Sequence, residues 1–242
     1  MTQNIYDNPE FFAGYSQLGR SVAGLDGAAE WPALRAMLPE LRGLDVLDLG
    51  CGFGWFCRWA RAQGAAQVRG IDVSERMLAR AVADTQDAAI TYDRADLEVL
   101  ELPGEAFDLV YSSLVFHYIA DLDKLMSRIH RSLRSGGSLV FSVEHPIYTA
   151  PANPGWSPDP SGLKSWPVNN YLCEGPRATN WLTPGVIKQH RTLATYLNML
   201  LWCGFTLCDI DEWGPTDAQI ESRSELADER QRPPFLLLSA KR

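Results

Sequence analysis

The chain has 242 residues and a formal net charge of −8, which favours one soluble-type domain with a sizeable core. An acidic chain without a cluster of lysines and arginines is disfavoured for binding nucleic acid, because phosphate neutralisation supplies much of that affinity. Five scattered cysteines without a C-x-x-C pair favour reduced thiols and a cytoplasmic protein. We expect no membrane partner, because no apolar stretch has the length of a bilayer span.

Residues 1–43 precede the first predicted strand and are expected to be helical. Pro32 suits the first turn of a helix that ends before Pro39. The segment ahead of this helix is rich in tyrosine and phenylalanine and carries Arg20. Its aromatic side chains either pack a helix against the sheet or contact a ligand, and the sequence leaves both alternatives open.

Residues 46–54 read VLDLGCGFG, which is a buried-type strand followed by a turn with three glycines. A helix-like segment follows at 55–63. A glycine turn before a helix lets a ligand approach backbone N–H groups without obstruction by Cβ atoms. Such turns also occur in dinucleotide-binding proteins. Asp48, however, would repel a pyrophosphate there and suits a ligand with a cationic group and ribose hydroxyls.

A second predicted strand, 68–72, ends in Asp72, which lies 22 residues after Gly50. This spacing is typical of the carboxylate that binds ribose hydroxyls in a βαβ unit. The helix that follows has Ser74 as its expected N-cap and Met77 on its apolar face. The alternative for Asp72 is a solvated acid at a strand end.

Three further strands complete an alternating pattern. The segments 89–92 and 107–111 read as the third and fourth strands, and 121–133 shows apolar residues at helical spacing. A Gly-Gly turn then leads into a fifth strand within 133–142. Strands that alternate with helices predict a parallel sheet with helices on both faces.

The stretch 46–54 resembles motif I of the class I S-adenosylmethionine-dependent methyltransferases. Its consensus, E/D-x-G-x-G-x-G, is matched by Asp48, Gly50, Gly52 and Gly54. The resemblance continues motif by motif through about 44–143 and more loosely to the C-terminus. Within that class, the chain is similar to the methyltransferase type 11-like small-molecule enzymes. The resemblance implies S-adenosyl-L-methionine as the cofactor.

The resemblance also implies roles for individual residues. Asp72 would accept hydrogen bonds from the ribose, and Asp96 would reach the adenine amino group. Tyrosine and arginine side chains of the N-terminal segment would close over the methionine part. The residues that it places at the cofactor are Tyr6, Tyr15, Arg20, Asp48, Gly50, Cys51, Gly52, Gly54, Asp72, Val73, Met77, Ala95, Asp96, Leu97, Ser112, Ser113 and His117.

The C-terminal part departs from a plain alternation. Residues 144–180 are rich in proline and lack periodicity, and so long an irregular segment is usually functional. Its aromatic side chains either wall an acceptor site or only seal the segment to the core. Residues 183–191 fit either a helix or a strand, and we favour a strand that pairs with part of this insertion. A helix should follow at 193–203. Two last strands, joined without a helix, predict an antiparallel hairpin at one sheet edge.

Methyl transfer from a sulfonium is an in-line displacement, in which the protein aligns the acceptor and excludes water. A base is needed only if the acceptor must lose a proton. His117 and His145 are the candidates, since each follows a strand whose carboxyl end should face the ligand. Helix packing is the alternative for His117. No residue spacing predicts a metal site.

The sequence therefore predicts an α/β fold with a Rossmann-like seven-stranded, mostly parallel sheet and an antiparallel C-terminal strand hairpin. The expected parts of this single domain are an N-terminal lid at 1–43, a cofactor-binding core at 44–143, an acceptor-side insertion at 144–191 and a C-terminal helix and hairpin at 192–242. The expected function is methyl transfer to a small-molecule acceptor. A non-catalytic S-adenosylmethionine-binding protein, a methyltransferase of protein or nucleic acid, and an NAD-dependent oxidoreductase remain alternatives.

Overall fold

The computed structural model describes residues 3–242. Its strands are β1 Asp45–Leu49, β2 Gln67–Asp72, β3 Ile90–Arg94, β4 Phe107–Ser113, β5 Leu133–Glu144, β6 Ser157–Pro158, β7 Lys164–Ser165, β8 Gly175–Trp181, β9 Thr183–His190, β10 Thr206–Trp213 and β11 Phe235–Lys241. Its α-helices are α1 Pro9–Tyr15, α2 Gly19–Val22, α3 Trp31–Ala36, α4 Trp55–Ala62, α5 Glu75–Ala83, α6 Leu122–Ser132, α7 Pro146–Thr149, α8 Leu193–Trp202 and α9 Asp217–Ser222. Short 3-10 helices lie at Ile5–Asp7, Gly24–Gly27, Phe116–Tyr118 and Ser224–Arg230.

Seven strands form one sheet in the order β10-β11-β5-β4-β1-β2-β3. The strands from β1 to β5 pair in parallel, whereas β11 is antiparallel to both β5 and β10. This arrangement confirms the predicted mostly parallel sheet with an antiparallel C-terminal hairpin. The expectation that no helix joins the last two strands is wrong. α9 forms between them because Thr216 and Gln219 make a reciprocal capping box.

Helices cover both faces of the sheet and create two cores. Successive side chains of a strand point to opposite faces, so Val46 packs in one core while Leu47 and Leu49 pack in the other. α6 buries Leu125 and Ile129, among others, in the core that contains Leu47 and Leu49. Full burial of a leucine or isoleucine side chain stabilises the fold by about 1.5–3 kcal/mol.

The insertion contains more regular structure than its composition suggests. β8 and β9 pair antiparallel, which confirms the predicted strand at 183–191 and its partner within the insertion. The side chain of Thr192 caps α8 by accepting a hydrogen bond from the N–H of Thr195. Gly204 follows that helix with a φ of 92°, a conformation that favours glycine.

The parallel strands bring their carboxyl ends to one edge of the sheet, where ligands gather in open α/β folds. The glycine turn after β1 is fixed to the neighbouring strand at this edge. The N–H groups of Gly50 and Cys51 both donate to the carbonyl oxygen of Ile71, at 2.7 and 3.0 Å.

Candidate functional site

A cavity of about 420 Å³ lies at the carboxyl ends of the parallel strands. The glycine turn and the end of β2 form one end of it, and Glu144, Tyr148 and Trp181 form part of the other. We call these the cofactor end and the acceptor end. The predicted cofactor residues that line the cavity are Tyr6, Tyr15, Arg20, Gly50, Gly52, Asp72, Val73, Met77, Asp96, Leu97, Ser113 and His117.

The three glycines of the turn serve different purposes. All three have positive φ, between 52° and 78°. A Cβ on Gly50 would lie 2.1 Å from the side chain of Val115, and one on Gly54 would lie 2.1 Å from the Tyr92 hydroxyl. A Cβ on Gly52 would meet no atom of the described residues within 4 Å, and it borders the cavity. Gly52 therefore leaves space for a ligand. Gly54 instead allows the side chain of Tyr92 to pack against the turn, and it does not line the cavity.

Asp72 connects the glycine turn to the next helix. One carboxylate oxygen accepts the N–H of Gly52 and the other accepts the N–H of Ser74, both at 2.9 Å. Burial raises the pKa of this carboxyl group, although these backbone N–H groups act in the opposite direction. Each oxygen keeps a second lone pair, so the group can also accept hydrogen bonds from two hydroxyls of a ligand.

Asp48 lies beside the cavity instead of in its wall. It is 2% exposed and borders a smaller pocket of about 100 Å³ together with Cys51. Gly50 and Gly52 border both spaces. The thiol of Cys57 donates to Asp48 at 3.2 Å, and burial raises the pKa of Asp48 to about 7.

Two other predicted contacts also lie outside the lining of the cavity. Ser112 is fully buried and donates to the carbonyl oxygen of Leu49 at 2.7 Å. Ser112 thus ties β4 to β1, Ala95 packs against the core, and neither residue lines the cavity.

The N-terminal segment and the β8–β9 hairpin meet over the cavity. The Tyr6 hydroxyl donates to that of Tyr118 at 3.4 Å, and the ring of Tyr15 makes an edge contact with Trp181. Asp7 accepts the hydroxyl of Ser74 at 2.6 Å, which fixes the segment to the start of α5. This position agrees with a cover at 1–43, of which residues 1 and 2 lie outside the described part. Opening and closing of that cover stays a prediction.

Glu30 is a cavity residue that the sequence did not indicate. It is 1% exposed, and one of its oxygens accepts from Arg20 at 2.8 Å. Its other oxygen, Oε2, is buried and has no hydrogen-bond partner among the described residues. Such an acceptor suits a ligand ammonium group, and the guanidinium beside it suits a carboxylate. An amino-acid moiety carries both groups, as the methionine part of S-adenosylmethionine does, so this pair fits the implied cofactor.

The acceptor end contains a buried ion pair. Lys188 Nζ lies 2.5 Å from Glu144 Oε1, and both side chains are largely buried. The ammonium also lies 5.0 Å from the ring centroid of Trp181. Glu144 Oε2 has no hydrogen-bond partner among the described residues. Because a buried acceptor without a donor is costly, this oxygen suits a hydroxyl or amine of a ligand.

His117 lines the cavity as a neutral side chain. Its Nδ1 accepts the N–H of Glu144 at 3.3 Å, which assigns the ring proton to Nε2. Burial, followed by the charges of Lys188 and Arg191, holds the pKa of His117 well below its usual value. The ring is therefore suited to donate a hydrogen bond and poorly suited to act as a general base.

The structure does not bring His145 to the cavity, which corrects the prediction of a base or an acceptor contact. Its Nδ1 accepts the N–H of Ile147 and caps α7. Nε2 therefore carries the proton and donates to Glu212 at 2.8 Å. Burial lowers the pKa of this histidine, while the bond to Glu212 acts in the opposite direction. Both ring nitrogens thus take part in structural bonds.

Neither a metal-binding cluster nor a membrane-spanning helix is present within residues 3–242. In that range no group of three histidine, cysteine, aspartate or glutamate side chains is placed to hold a metal ion. Likewise, none of the helices described there has the length and apolarity needed to cross a membrane.

Comparisons with known proteins agree with this geometry. A family model described as a methyltransferase domain matches residues 47–141. The crystal structure of an S-adenosylmethionine-dependent methyltransferase from Mesorhizobium loti superposes with a TM-score of 0.88 and 59% sequence identity, covering 90% of this chain and 100% of that one. An uncharacterised protein of Haemophilus influenzae is 36% identical over 99% of this chain and 97% of its own length.

A third similarity covers less than half of the chain. A malonyl-[acyl-carrier protein] O-methyltransferase from Enterobacter lignolyticus is 41% identical over 111 residues. That match covers 46% of this chain and 43% of the relative, so this chain aligns with less than half of the relative's length.

Proposed function

This chain belongs to the S-adenosylmethionine-dependent methyltransferases, and we propose that it transfers the methyl group to a small-molecule acceptor. The observation that supports the proposal is the single cavity that joins the cofactor end to the acceptor end. Its volume of about 420 Å³ falls within the range of sites for small molecules, roughly 300–1,000 Å³. The N-terminal segment and the β8–β9 hairpin both border it, which favours a compact acceptor over a folded protein surface.

At the cofactor end, we assign binding to backbone groups and two acids. Gly52 leaves room for close approach of the ligand, and Asp72 accepts hydrogen bonds from the ribose hydroxyls. The Arg20–Glu30 pair holds the carboxylate and ammonium of the amino-acid part. When bound, S-adenosylmethionine supplies a methyl group that is activated by its sulfonium. A tyrosine ring facing that cation, from Tyr6 or Tyr15, stabilises it by about 1 kcal/mol.

At the acceptor end, the side chains orient the nucleophile and exclude water. Glu144 Oε2 accepts a hydrogen bond from the acceptor, and Nε2 of His117 donates one. Orientation of this kind accounts for much of the rate of a displacement, because the reacting atoms must lie in line. The malonyl-[acyl-carrier protein] relative aligns with less than half of this chain, so we do not assign its acceptor here.

A transfer assay with methyl-labelled S-adenosylmethionine tests the proposal. The purified protein is incubated with a metabolite extract, with a protein extract, and with acylated carrier protein. We expect label in the small-molecule fraction of the metabolite extract. Label found only on carrier protein or on other macromolecules would refute a small-molecule acceptor. Asp72→Ala should lose the signal, whereas Asp93→Ala should retain it, since Asp93 pairs with Arg69 at the surface.

A further inference from the structure

A second pocket shares a wall with the acceptor end of the cavity. Its volume is about 310 Å³, and the shared wall consists of Glu144, Tyr148, Trp181 and Glu229. Arg232 lines this second pocket and is only 3% exposed. An arginine so deeply buried requires partners for its guanidinium group.

Aromatic rings hold the guanidinium of Arg232 in place. Its central carbon lies 4.0 Å from the ring centroid of Trp166, 4.4 Å from that of Tyr148 and 5.5 Å from that of Trp156. Trp166 is itself fixed, because its indole N–H donates to the carbonyl oxygen of Ile147 at 3.0 Å. The rings pack around the guanidinium group. A hydrogen-bond acceptor can therefore reach this group only at its N–H groups.

Most of the hydrogen-bonding capacity of Arg232 is unused. Glu229 accepts from Nη2, but Nε and Nη1 are buried and have no partner among the described residues. Buried N–H groups without an acceptor are uncommon in native proteins. Two such nitrogens on one positively charged side chain that lines a pocket indicate that the pocket binds a ligand with an oxygen acceptor.

The charge of this pocket also favours an anion. Its lining contains three cations, Arg177, Lys188 and Arg232, against two carboxylates, Glu144 and Glu229. Lys188 and Arg232 each pair with one of these carboxylates, whereas Arg177 donates to backbone carbonyl oxygens. The pocket is thus locally positive in a chain whose formal net charge is −8.

We propose that the Arg232 pocket binds an oxyanion group, a carboxylate or a phosphate, carried by the methyl acceptor. The acceptor then spans the shared wall, with its nucleophile beside Glu144 and its anionic group at Arg232, where either Nε or Nη1 donates a hydrogen bond to it. This inference rests on the proposed small-molecule methyl transfer and specifies the substrate class: an anionic acceptor. Hydrogen bonds from a guanidinium to an oxyanion are charge-assisted, which makes them stronger than hydrogen bonds between neutral groups.

A binding experiment tests the pocket without any turnover. Succinate and inorganic phosphate are titrated separately into the protein at constant ionic strength, with tryptophan fluorescence as the readout, because Trp156 and Trp166 contact Arg232. At least one of the two should bind saturably. Arg232→Gln should weaken that binding about tenfold or more. The matched control is Arg230→Gln, which removes the same charge from a half-exposed side chain and should leave the affinity unchanged.

A second variant keeps the test decisive if Arg232→Gln does not fold. Glu229→Gln retains the arginine and removes the carboxylate that competes for it, so anion binding should become several-fold tighter. Equal affinity in Glu229→Gln and wild type, or no saturable response in wild type, would overturn the proposal.

The labelled product of the transfer assay gives an independent check. The methylated small molecule should be retained on an anion-exchange resin. Loss of retention after phosphatase treatment assigns a phosphate, and unchanged retention assigns a carboxylate. A neutral or cationic labelled product would refute the anionic acceptor and leave small-molecule methyl transfer standing. Absence of any labelled small molecule, together with saturable anion binding at Arg232, would instead refute the proposed function.

Discussion

The two ends of the cavity are constructed in different ways. At the cofactor end, Gly52 of the glycine turn and the strand-end acid Asp72 come from a short stretch of chain, and the N-terminal segment adds the Arg20–Glu30 pair. The acceptor end consists of side chains from distant segments, among them Glu144, Trp181 and Lys188. A site built on a local turn has fixed sequence spacing, whereas a site built from folded segments has none. The comparison predicts that changes at one end leave binding at the other end intact.

The largest expected effect is at the acceptor end. Lys188→Met leaves the carboxylate of Glu144 buried without its cation and should destabilise the protein by about 3–5 kcal/mol in urea unfolding. The double variant Glu144→Gln/Lys188→Met removes both charges and should recover most of that loss. A single-variant effect of less than ~1 kcal/mol would show that the pair is hydrated and not part of a closed acceptor end.

Beside the cofactor end lies Asp48, a buried acid that pairs with no cation among the described residues. Burial raises the pKa of Asp48 from 3.8 to about 7, so its folded-state pKa lies above its unfolded one. Its contribution to stability is therefore complete below about pH 4 and falls as the pH rises to about 7. The free energy of unfolding changes in total by about 4 kcal/mol.

Asp48→Asn should remove this part of the pH dependence. Unfolding free energies of wild type and variant are compared from pH 4 to pH 8, and their difference should grow in favour of the variant as the pH rises. A difference that stays constant over this range would mean that Asp48 titrates normally.

Gly52→Val should weaken S-adenosylmethionine binding about 100-fold, or ~2.7 kcal/mol, because the branched side chain occupies the space next to the cofactor. Gly43→Val is the control: it has a φ of 78° and open surroundings but does not line the cavity. Both variants carry backbone strain, so only the first should change the affinity measured by calorimetry. Unchanged affinity in Gly52→Val would misplace the cofactor.

Asp72→Ala should weaken cofactor binding by about 1.5–3 kcal/mol, because a charged acceptor for two hydroxyls is lost. The anion affinity of the Arg232 pocket should not change, since that pocket does not include Asp72. A decrease of less than about twofold in cofactor affinity, with the fold intact, would contradict the ribose assignment.

The sheet and the cofactor end were largely predictable, because their signals are local. The glycine turn, the acid at the end of β2 and the apolar spacing of α6 each lie within a few residues. The prediction of a strand at β9 was also correct. α9 was missed because its six residues are mostly polar and depend on a cap instead of an apolar face.

The acceptor end was not predictable to the same extent. His145 follows a strand end, as a ligand contact would, but its ring turns to cap α7 and to meet Glu212. Lys188 lies two residues from both Val186 and His190 on β9, so it shares a face of the strand with these buried residues. This spacing is the one local sign that its charge faces inward. The oxygen of Glu30 that lacks a hydrogen-bond partner, Oε2, becomes visible only after folding.

A crystal structure of the protein with S-adenosylhomocysteine tests the central claim most directly. We predict that the ribose hydroxyls contact Asp72, that the amino-acid part meets the Arg20–Glu30 pair, and that the sulfur faces the space bordered by Glu144 and Trp181. A ligand whose ribose lies away from Asp72, or whose sulfur points away from that space, would contradict the division of the cavity into a cofactor end and an acceptor end.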